Sequence, residues 1–525
     1  MKKNLLIILV YACIFCASET AYRIVFGIAN NSADYLRVFA YTLALCAAFY
    51  FAKYTVSRVF IFLFFAIATI GNNIHYEVYK TWITAVNYYL FIVEFSEVRE
   101  AGMDMLGRLA PHILWGAAEC AVFFSMPFWN KNKNKKPVAD ILFLAAILIS
   151  VLMAARAKDA RSISPKAKYA RIEANYLSFG GVFSKVLPTY LFGSSRIPAY
   201  RHPAPQKNGQ PRVRNIVFLV GESESARHLS YFGYPRATTP RLSEFAQKHP
   251  DALISRAYST GLMTRVALPM LFNAIPHPNG FMQISMGDTN LIRLAKEQGY
   301  TNYFYSAQAE GEMRLMNLLG IKWIDHLTYP SHFGFGVEES MPDKNLIKQL
   351  KEIDLSKGRN FIVLHQRASH MPYSKWLEPS EQVFGMATEA DKYDNTIHQT
   401  DVIRDEILKY LEASGDQDWI FIYTSDHGQL VSDKEAAAGV WHEDIYTVPL
   451  MVYSPNNELQ AKIKNTFSAC EYNHHYQLSA WMIDLLGYDY PPADCLPAYV
   501  SGNMLTGDAG YMKIHPDKRQ EMIAH

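Results

Sequence analysis

Acidic and imidazole side chains follow three short apolar runs in the second half of the chain. Glu222 comes directly after NIVFLVG, His365 ends FIVLH and is followed by His370, and Asp426 and His427 come after WIFIYTS. Each run is typical of a strand that is buried on both faces of a sheet. Because the carboxyl ends of parallel strands meet at one edge of the sheet, we expect these side chains to lie close together.

Carboxylates and neutral imidazoles suit Zn²⁺, which keeps one coordination position open in catalytic sites. A hydroxyl group at that position loses its proton more readily and becomes a nucleophile near neutral pH. Residues 259–272 (STGLMTRVALPMLF) lie between the first two runs and offer such hydroxyl groups. Taken singly, an acid that ends a strand can cap the next helix, and a lone histidine is often a packing or surface residue. Acids and histidines that follow three strands, together with the hydroxyl groups of residues 259–272, favour metal-assisted chemistry.

Helical segments separate these predicted strands. They are expected near residues 240–247 and 290–298, and a long helix is expected at residues 388–413. Strands that alternate with helices predict a mainly parallel sheet with helices on both faces. We therefore expect an α/β domain over residues 214–525.

The first third of the chain is a predicted membrane domain. A membrane-spanning helix needs about 20 mostly apolar residues. Five such runs begin at Asn4, Leu36, Val59, His112 and Val138. The first run alone could be a signal peptide, but it lacks a clear small-residue cleavage site and four more runs follow. These features predict an α-helical membrane domain of five spans at residues 1–160.

Basic residues indicate the orientation of these spans. Lys2 and Lys3 precede the first run, Lys53 and Arg58 separate the second from the third, and residues 130–136 (NKNKNKK) separate the fourth from the fifth. Lysine and arginine in short loops mark the cytoplasmic side. All three clusters fall on one side, so the chain after the fifth run is expected outside the cytoplasm.

Two further segments are expected to lie along the membrane surface. Residues 80–110 and 165–195 mix charged with aromatic and aliphatic residues, as interfacial helices do. Residues 201–214 (RHPAPQKNGQPRVR) are rich in proline and charge, which is typical of a linker. We therefore assign interfacial helices and a linker to residues 161–213.

Composition excludes some partners. The chain has 525 residues and a net charge of +2, a balance that indicates no nucleic-acid partner. Four of its six cysteines lie in apolar runs, whereas Cys470 and Cys495 lie in the polar part. These two could pair in an oxidising compartment, but their spacing alone does not decide it.

Six segments of the chain match a known family. They are VGESESARHLSYFGYPRATTPRL from Val220, TRVALPMLF from Thr264, LHQRASHMPY from Leu364, YDNTIHQTD from Tyr393, YTSDHGQ from Tyr423 and, more loosely, GVWHED from Gly439. On these segments the chain resembles, over nearly its whole length, the lipid A and lipopolysaccharide-core phosphoethanolamine transferases of the alkaline phosphatase/sulfatase superfamily. The order and spacing of the segments agree with the family. The resemblance implies a multi-pass protein of the bacterial inner membrane with its catalytic domain in the periplasm.

The resemblance also implies roles for particular residues. Glu222, Asp426 and His427 would be zinc ligands, and Thr264 would be the nucleophile and a further ligand through its oxygen. His370 and His442 match histidines that line the substrate site, where they can touch the phosphoryl group or a second zinc ion. His365, beside that site, is a weaker candidate for substrate contact. The implied cofactor is thus one or two zinc ions.

The reaction implied by the resemblance has two steps. Thr264 attacks the phosphorus of phosphatidylethanolamine, diacylglycerol leaves, and an acceptor on lipopolysaccharide then takes the phosphoethanolamine from the threonine. We expect the protein to act as a monomer. Phosphoethanolamine transfer to lipid A, or to a surface protein or glycan, stays open as an alternative.

The sequence departs from the family at two places. Family members carry cysteines around the nucleophile in a C-G-T-x-T pattern, where this chain reads TGLMT over residues 260–264. Thr264 is assigned because it lies five residues before Pro269, and Thr260 is the reserve candidate. Residues 305–314 (YSAQAEGEMR) replace the asparagine and lysine that bind phosphoethanolamine in lipid A enzymes.

The altered segment offers Gln308, Glu310 and Glu312 to a substrate. A carboxylate there could pair with the ethanolamine ammonium, or the segment could be an ordinary solvated loop. Together with the missing cysteines, this change favours an acceptor other than lipid A, and an inner-core heptose is our preferred acceptor.

Three other functions are compatible with parts of the sequence. A sulfatase would need a C/S-x-P-x-R motif, and none lies near Thr264. An enzyme similar to lipoteichoic acid synthases would transfer glycerol phosphate from phosphatidylglycerol, but the long matches from Val220 and Tyr423 favour the ethanolamine branch. A scaffold with a degenerate site is disfavoured, because all four metal-site residues are retained.

Overall fold

The computed structural model describes residues 2–28, 35–79, 82–85, 87–88, 91, 99, 102–103, 106–130, 137–156, 165, 169–188, 197–310, 312–336, 339–433, 436–505, 507 and 510–523. The chain divides into two compact units, Met1–Gly193 and Ser194–His525. Most of the segment predicted to be interfacial between residues 80 and 110 lies outside the described residues.

The first unit is helical. Its helices are α1 (Lys2–Val25), α2 (Tyr35–Phe51), α3 (Thr55–Ala66), α4 (Asn72–Tyr79), α5 (Leu106–Ser125), α6 (Val138–Arg156) and α7 (Arg171–Gly181), with π-helical turns at Ile67–Gly71 and Val182–Val186. Four helical stretches are long and apolar enough to cross a membrane, namely Lys3–Val25, Thr55–Glu77, Leu106–Trp129 and Val138–Arg156. The apolar helix α2 has only 17 residues. The predicted helical membrane domain is confirmed, with four to five apolar helices.

Helix α7 falls within the segment that the sequence assigns to the membrane surface, yet most of its residues are buried inside the first unit. Arg171 donates from Nε to Glu19 on α1 at 2.5 Å and from Nη2 to Glu119 on α5 at 2.8 Å. Gly180 lets α7 approach α6 closely, since a Cβ there would lie 2.4 Å from the carbonyl oxygen of Ser150. Buried ions persist only when they are paired, so this contact fixes α7 within the helical unit.

The second unit is an α/β domain. Its strands are β1 (Gln206–Lys207), β2 (Asn215–Gly221), β3 (Leu253–Tyr258), β4 (Tyr300–Ser306), β5 (His326–Thr328), β6 (Arg359–His365), β7 (Trp419–Ser425), β8 (Leu430–Val431), β9 (Ala436–Ala437), β10 (Thr447–Tyr453), β11 (Tyr472–His474), β12 (Tyr488–Asp489), β13 (Ala498–Ser501), β14 (Tyr511–Ile514) and β15 (Gln520–Ile523). Its helices are α8 (Pro240–Lys248), α9 (Thr264–Phe272), α10 (Phe281–Met286), α11 (Leu291–Glu297), α12 (Met316–Leu319), α13 (Lys344–Lys351), α14 (Glu389–Ala413), α15 (Glu443–Tyr446), α16 (Asn457–Phe467) and α17 (His475–Leu485), and short 3₁₀ turns connect some of them.

An eight-stranded sheet with the order β11-β3-β10-β7-β2-β6-β4-β5 forms the centre of this unit. Strands β7, β2, β6, β4 and β5 run parallel, whereas β10 is antiparallel to both β7 and β3. The predicted mainly parallel sheet is confirmed.

The central strand β2 is buried on both faces, which explains its continuous apolar sequence. Ile216 and Phe218 contribute to the hydrophobic core on one face, and Val217 and Leu219 contribute to the core on the other. Hydrophobic burial of this kind stabilises a sheet by about 25 cal/mol per Å² of apolar surface. The next residue after the strand, Glu222, is therefore held at the carboxyl edge of a rigid sheet.

Candidate functional site

A cluster of three potential metal ligands lies at the carboxyl edge of the sheet. Strands β2 and β7 are neighbours, with Gly221 paired to Ser425, so the residues that follow them are brought together. One ligand atom each of Glu222, Asp426 and His427 lies within 4.8 Å of the others, and all three residues are buried. The structure thus brings together the three residues that the sequence assigns to the metal.

The Asp426 carboxylate is held by one oxygen and offers the other to the cluster. Its Oδ1 accepts from the backbone N–H of Ser223 at 2.9 Å and of His427 at 2.7 Å. Its Oδ2 is buried, accepts no hydrogen bond from the residues that the structure describes, and lies 3.4 Å from Nε2 of His427. A buried anionic oxygen without a partner is costly, so a bound cation fits this donor set.

Burial acts to raise the pKa of Asp426, but His427 and the hydrogen bonds to the carboxylate outweigh it, and the pKa is lowered. The carboxylate is therefore anionic at neutral pH, as a metal ligand must be.

His427 presents the ring nitrogen that a metal needs. Its Nδ1 lies 2.7 Å from the carbonyl oxygen of Gly428, so Nδ1 carries the proton and donates it to that oxygen. Nε2 then keeps its lone pair, and it lies 3.7 Å from Oε1 of Glu222. A backbone carbonyl that fixes the histidine tautomer in this way is a common second layer around metal sites.

Gly428 allows this loop to pack closely. A Cβ at this position would lie 2.1 Å from the carbonyl oxygen of Asp444, far inside van der Waals contact. Only glycine fits here without a shift of the backbone that carries His427.

Thr264 is the first residue of α9, and its hydroxyl lies against the cluster. Its Oγ1 is 3.3 Å from Oε2 of Glu222 and 3.3 Å from Nε2 of His427. The reserve candidate, Thr260, is buried and donates from Oγ1 to the carbonyl oxygen of Ala267 at 3.2 Å. Of the two threonines, Thr264 therefore has the better position, and the amino end of α9 adds a partial positive charge near an anion bound there.

Backbone pairing holds the loop before Thr264. The Ser501 N–H donates to the carbonyl oxygen of Thr260 at 2.8 Å, and the Leu262 N–H donates to the carbonyl oxygen of Ser501 at 3.1 Å. Ser259 adds a bond from its Oγ to the carbonyl oxygen of Asp426 at 2.5 Å. Strand β13 thus supports the segment that cysteines flank in the family.

His365, the last residue of β6, and His370, in the loop that follows, differ in environment. His365 is fully buried, with Nδ1 3.1 Å from Oγ of Ser306, while its Nε2 makes no hydrogen bond to a described residue. Burial lowers the pKa of His365 to about 4, against an opposing effect of Asp426, so the ring is neutral at pH 7. His370 is half-buried, and its Nδ1 lies 2.6 Å from the carbonyl oxygen of Met371.

His442 is half-exposed and caps α15, where its Nδ1 accepts from the Asp444 N–H at 3.2 Å. Its segment lies beside residues 260–263, since a Cβ at Gly439 would lie 3.2 Å from the sulfur of Met263. The segment that carries His442 thus lies beside the loop that precedes Thr264.

The three residues of the altered segment occupy different places. Gln308 is buried and donates from Nε2 to Oε2 of Glu222 at 3.2 Å and to the carbonyl oxygen of Gln366 at 3.1 Å. Glu310 is exposed and accepts from Oγ of Ser331 at 2.7 Å. Glu312 is partly buried, and its N–H donates to the carbonyl oxygen of Ala309 at 3.0 Å. Gln308 therefore contacts a metal-ligand candidate.

Two buried residues near the site carry no local signal in the sequence. Asp343 accepts from the N–H groups of Arg367 at 2.7 Å and Ala368 at 2.8 Å, and so anchors the loop that carries His370. Burial raises the pKa of Asp343 to about 6. His475 lies behind Asp426, and burial lowers its pKa to about 4 against the effect of that carboxylate.

The chain is similar in sequence to several known proteins. A family model described as sulfatase matches residues 214–488. The candidate transferase YhbX of Escherichia coli (strain K12) is 25% identical over 414 residues, which cover 72% of this chain and 70% of YhbX. The Kdo(2)-lipid A phosphoethanolamine 7''-transferase of the same organism is 24% identical over 304 residues, covering 53% of this chain and 52% of that enzyme.

Among solved structures, the integral membrane protein lipooligosaccharide phosphoethanolamine transferase A (EptA) from Neisseria meningitidis superposes with a TM-score of 0.62 at 16% identity. The superposition covers 93% of this chain and 95% of that protein. The fold of both units is thus similar to that of a full-length membrane transferase.

Proposed function

The chain belongs to the sulfatase family, and on that premise we propose that it transfers phosphoethanolamine from phosphatidylethanolamine to lipopolysaccharide through Thr264. The observation that carries this proposal is the position of the Thr264 hydroxyl, 3.3 Å from both Glu222 and His427. The relative named as a Kdo(2)-lipid A phosphoethanolamine 7''-transferase supports the choice of the transferred group and of the acceptor class.

Glu222, Asp426 and His427 would hold a zinc ion, and their donor set of two carboxylates and one imidazole suits that metal. When bound, zinc supplies a positive charge that lowers the pKa of a nearby hydroxyl and stabilises charge on phosphoryl oxygens. The unpartnered Oδ2 of Asp426 is the feature of this chain that favours a resident cation.

In the first step the Thr264 hydroxyl has lost its proton to water, and the resulting alkoxide oxygen attacks the phosphorus of phosphatidylethanolamine. The bond from phosphorus to the diacylglycerol oxygen breaks, and that oxygen takes a proton from His370 or His442. Phosphoethanolamine remains as an ester on Thr264. The N–H groups at the start of α9 stabilise the negative phosphoryl oxygens during this transfer.

In the second step an acceptor hydroxyl attacks the same phosphorus. The acceptor loses its proton to the neutral histidine, and the Thr264 oxygen leaves and is regenerated. We propose an inner-core heptose of lipopolysaccharide as the acceptor, because the segment around Gln308 departs from the lipid A enzymes.

The helical unit holds the site at the membrane where both substrates reside, which raises their effective concentration. Cys470 and Cys495 form a disulfide with a Cα–Cα distance of 5.4 Å, a bond that persists in oxidising compartments such as the periplasm. We therefore propose the inner membrane, with the second unit in the periplasm, as the location of the protein.

The test uses the full-length chain in vesicles that contain phosphatidylethanolamine, phosphatidylglycerol and unmodified lipopolysaccharide. Mass spectrometry should find one phosphoethanolamine added to a core heptose, with loss of phosphatidylethanolamine. Without acceptor, the mass of the peptide that contains Thr264 should increase by one phosphoethanolamine.

Thr264→Ala should lower the rate by at least about 1000-fold, a usual size for loss of a nucleophile. Thr260→Ala is the matched control, because it removes a hydroxyl four residues away, and it should keep most of the activity. Consumption of phosphatidylglycerol with phosphatidylethanolamine untouched would instead identify a glycerol phosphate transferase.

A further inference from the structure

The second unit carries a cluster of exposed apolar side chains next to α9, the helix that begins at Thr264 and is called the nucleophile helix below. Among its described residues, seven large hydrophobic side chains are exposed, and four of them lie on or beside α10. These four are Phe281, Met282, Met286 and Ile321, with exposed fractions of 49%, 38%, 44% and 37%. We call these four residues, together with Trp323, the α10 platform.

Helix α10 carries large apolar side chains on both of its faces, together with the buried Gln283 and the exposed Ser285. Its inner face buries Ile284 in a small core with Val266 and Met270 of the nucleophile helix α9. Its outer face presents Phe281, Met282 and Met286. A surface helix of a soluble domain normally turns polar side chains outward, so the outer face of α10 needs another partner.

The turn after α12 continues this surface. The Trp323 ring packs over the end of α10, since a Cβ at Gly287 would lie 2.3 Å from it. The ammonium of the exposed Lys322 lies 4.4 Å from the centroid of the same ring. Aliphatic, tryptophan and lysine side chains side by side are typical of proteins that bind the headgroup region of a bilayer.

The chain that comes from the membrane unit is bonded to this same helix. The Tyr200 N–H donates to the carbonyl oxygen of Asn279 at 3.0 Å, just before α10. The His202 N–H donates to Oε1 of Gln283 within α10 at 2.8 Å, and Nε2 of Gln283 donates back to the His202 carbonyl oxygen at 3.1 Å. Residues 200–202 are thus held against α10 and the residue before it by these hydrogen bonds.

Few residues separate the described parts of the two units. The first unit is described as far as residue 188, and the second unit begins to be described at residue 197. Nine Cα–Cα steps span at most about 30 Å even when fully extended. A surface that is apolar, lies beside a lysine and belongs to a domain tied by a short stretch of chain to an apolar helical unit has the bilayer as its natural partner.

We propose that the α10 platform binds the surface of the phospholipid bilayer in which the first unit is embedded. Phe281, Met282 and Met286 insert among the headgroups and the first acyl carbons, and Lys322 pairs with lipid phosphate. Because the inner face of α10 packs on α9, this contact holds the nucleophile helix beside the lipid surface. The inference rests on the membrane anchoring of the chain and is independent of the group that is transferred.

The direct test places the photoreactive benzophenone analogue of phenylalanine at position 281 of the full-length chain. The protein is reconstituted in vesicles of phosphatidylethanolamine and phosphatidylglycerol and irradiated, and adducts are identified by mass spectrometry. The matched control places the same analogue at Val383, which is exposed to 56% and lies outside the α10 platform.

Lipid adducts at position 281 should exceed those at position 383 by about fivefold or more if the side chain is inserted among lipids. Equal yields at the two positions, or adducts from position 281 to protein alone, would overturn the proposal. This readout does not depend on turnover, so it distinguishes a wrong surface from a wrong reaction.

A second test separates surface docking from chemistry. Phe281→Ser combined with Met282→Ser should raise the KM for phosphatidylethanolamine in vesicles by about tenfold, because donor lipid is reached less often. The same variant should keep the wild-type rate on a short-chain, water-soluble phosphatidylethanolamine. An unchanged KM in vesicles, or an equal loss on both donors, would contradict a role in lipid docking.

Discussion

Replacement of Gln308 is predicted to weaken zinc binding at the candidate site. Its Nε2 donates to Oε2 of Glu222 at 3.2 Å, and the side chain is only 4% exposed. Gln308→Leu keeps a similar volume but removes this donor. A hydrogen bond to a charged group contributes about 1.5–3 kcal/mol, and loss of a residue behind a metal ligand costs about 10–100-fold in metal affinity. The two figures agree, since tenfold corresponds to about 1.4 kcal/mol.

Gln308→Glu tests the same contact with charge. It would place a second carboxylate beside Glu222 at hydrogen-bond distance, and two carboxylates this close raise the pKa of one of them. We expect the loss of zinc affinity at pH 7 to be larger than in Gln308→Leu, since the proton shared by the two carboxylates must compete with the metal. Part of the lost affinity should return as the pH is raised, because the shared proton then leaves the carboxylate pair.

The assay is zinc competition against a chromophoric chelator, with the full-length chain in detergent. The matched control is Gln298→Leu, which removes another buried amide that donates from Nε2 to the carbonyl oxygens of Gly209 and Gly487. That control should bind zinc like the wild type even if it lowers the Tm. The reasoning would be refuted by wild-type affinity in Gln308→Leu, or by an equal loss in Gln298→Leu.

Three further outcomes are expected. Asp343→Ala removes the acceptor of two buried backbone N–H groups in the loop that carries His370. Steady-state kinetics should show kcat lowered by about 10-fold or more, and metal analysis should show unchanged zinc content. Gly428→Ala should destabilise the fold by about 1–3 kcal/mol or more by denaturant titration, whereas Gly209→Ala, with no atom within 4 Å of its Cβ, should not. Burial lowers the pKa of His365 and of His474 to about 4 in the folded protein. As the pH falls, these histidines therefore bind protons in the unfolded chain at a higher pH than in the folded protein. Stability should then decrease from about pH 6.5 down to pH 4, and His474→Gln should flatten that profile in a thermal melt.

The central strands could be predicted from the sequence because each is buried on both faces. NIVFLV, FIVLH and WIFIYTS are continuous apolar runs, and they are the neighbouring strands β2, β6 and β7. Strand β10, which lies between β7 and β3, carries Pro449 and is hard to predict, since proline cannot donate to a sheet ladder. The structure accommodates it because pairing to β7 begins only at Leu450.

The metal-ligand candidates could be predicted because each directly follows one of these strands. Glu222, Asp426 and His427 need only the parallel order of β2 and β7 to meet. Asp343 and His475 could not be predicted, since Asp343 precedes a helix as many capping residues do and His475 lies in the first turn of one. Their roles arise from contacts with loops far away in the sequence, for which no local pattern exists.

The position of Thr264 depends on the far end of the chain. Residues 260–262 exchange two backbone hydrogen bonds with Ser501, and β13 in turn pairs with β14. A backbone ladder restrains a loop at several atoms, whereas a disulfide restrains it at one covalent link. The loss of the family cysteines therefore leaves the nucleophile loop anchored, and the absent disulfide is no argument against Thr264. Strands β13 and β14 therefore support the candidate site. Substitutions in these strands should displace Thr264 more than they displace the three metal-ligand candidates.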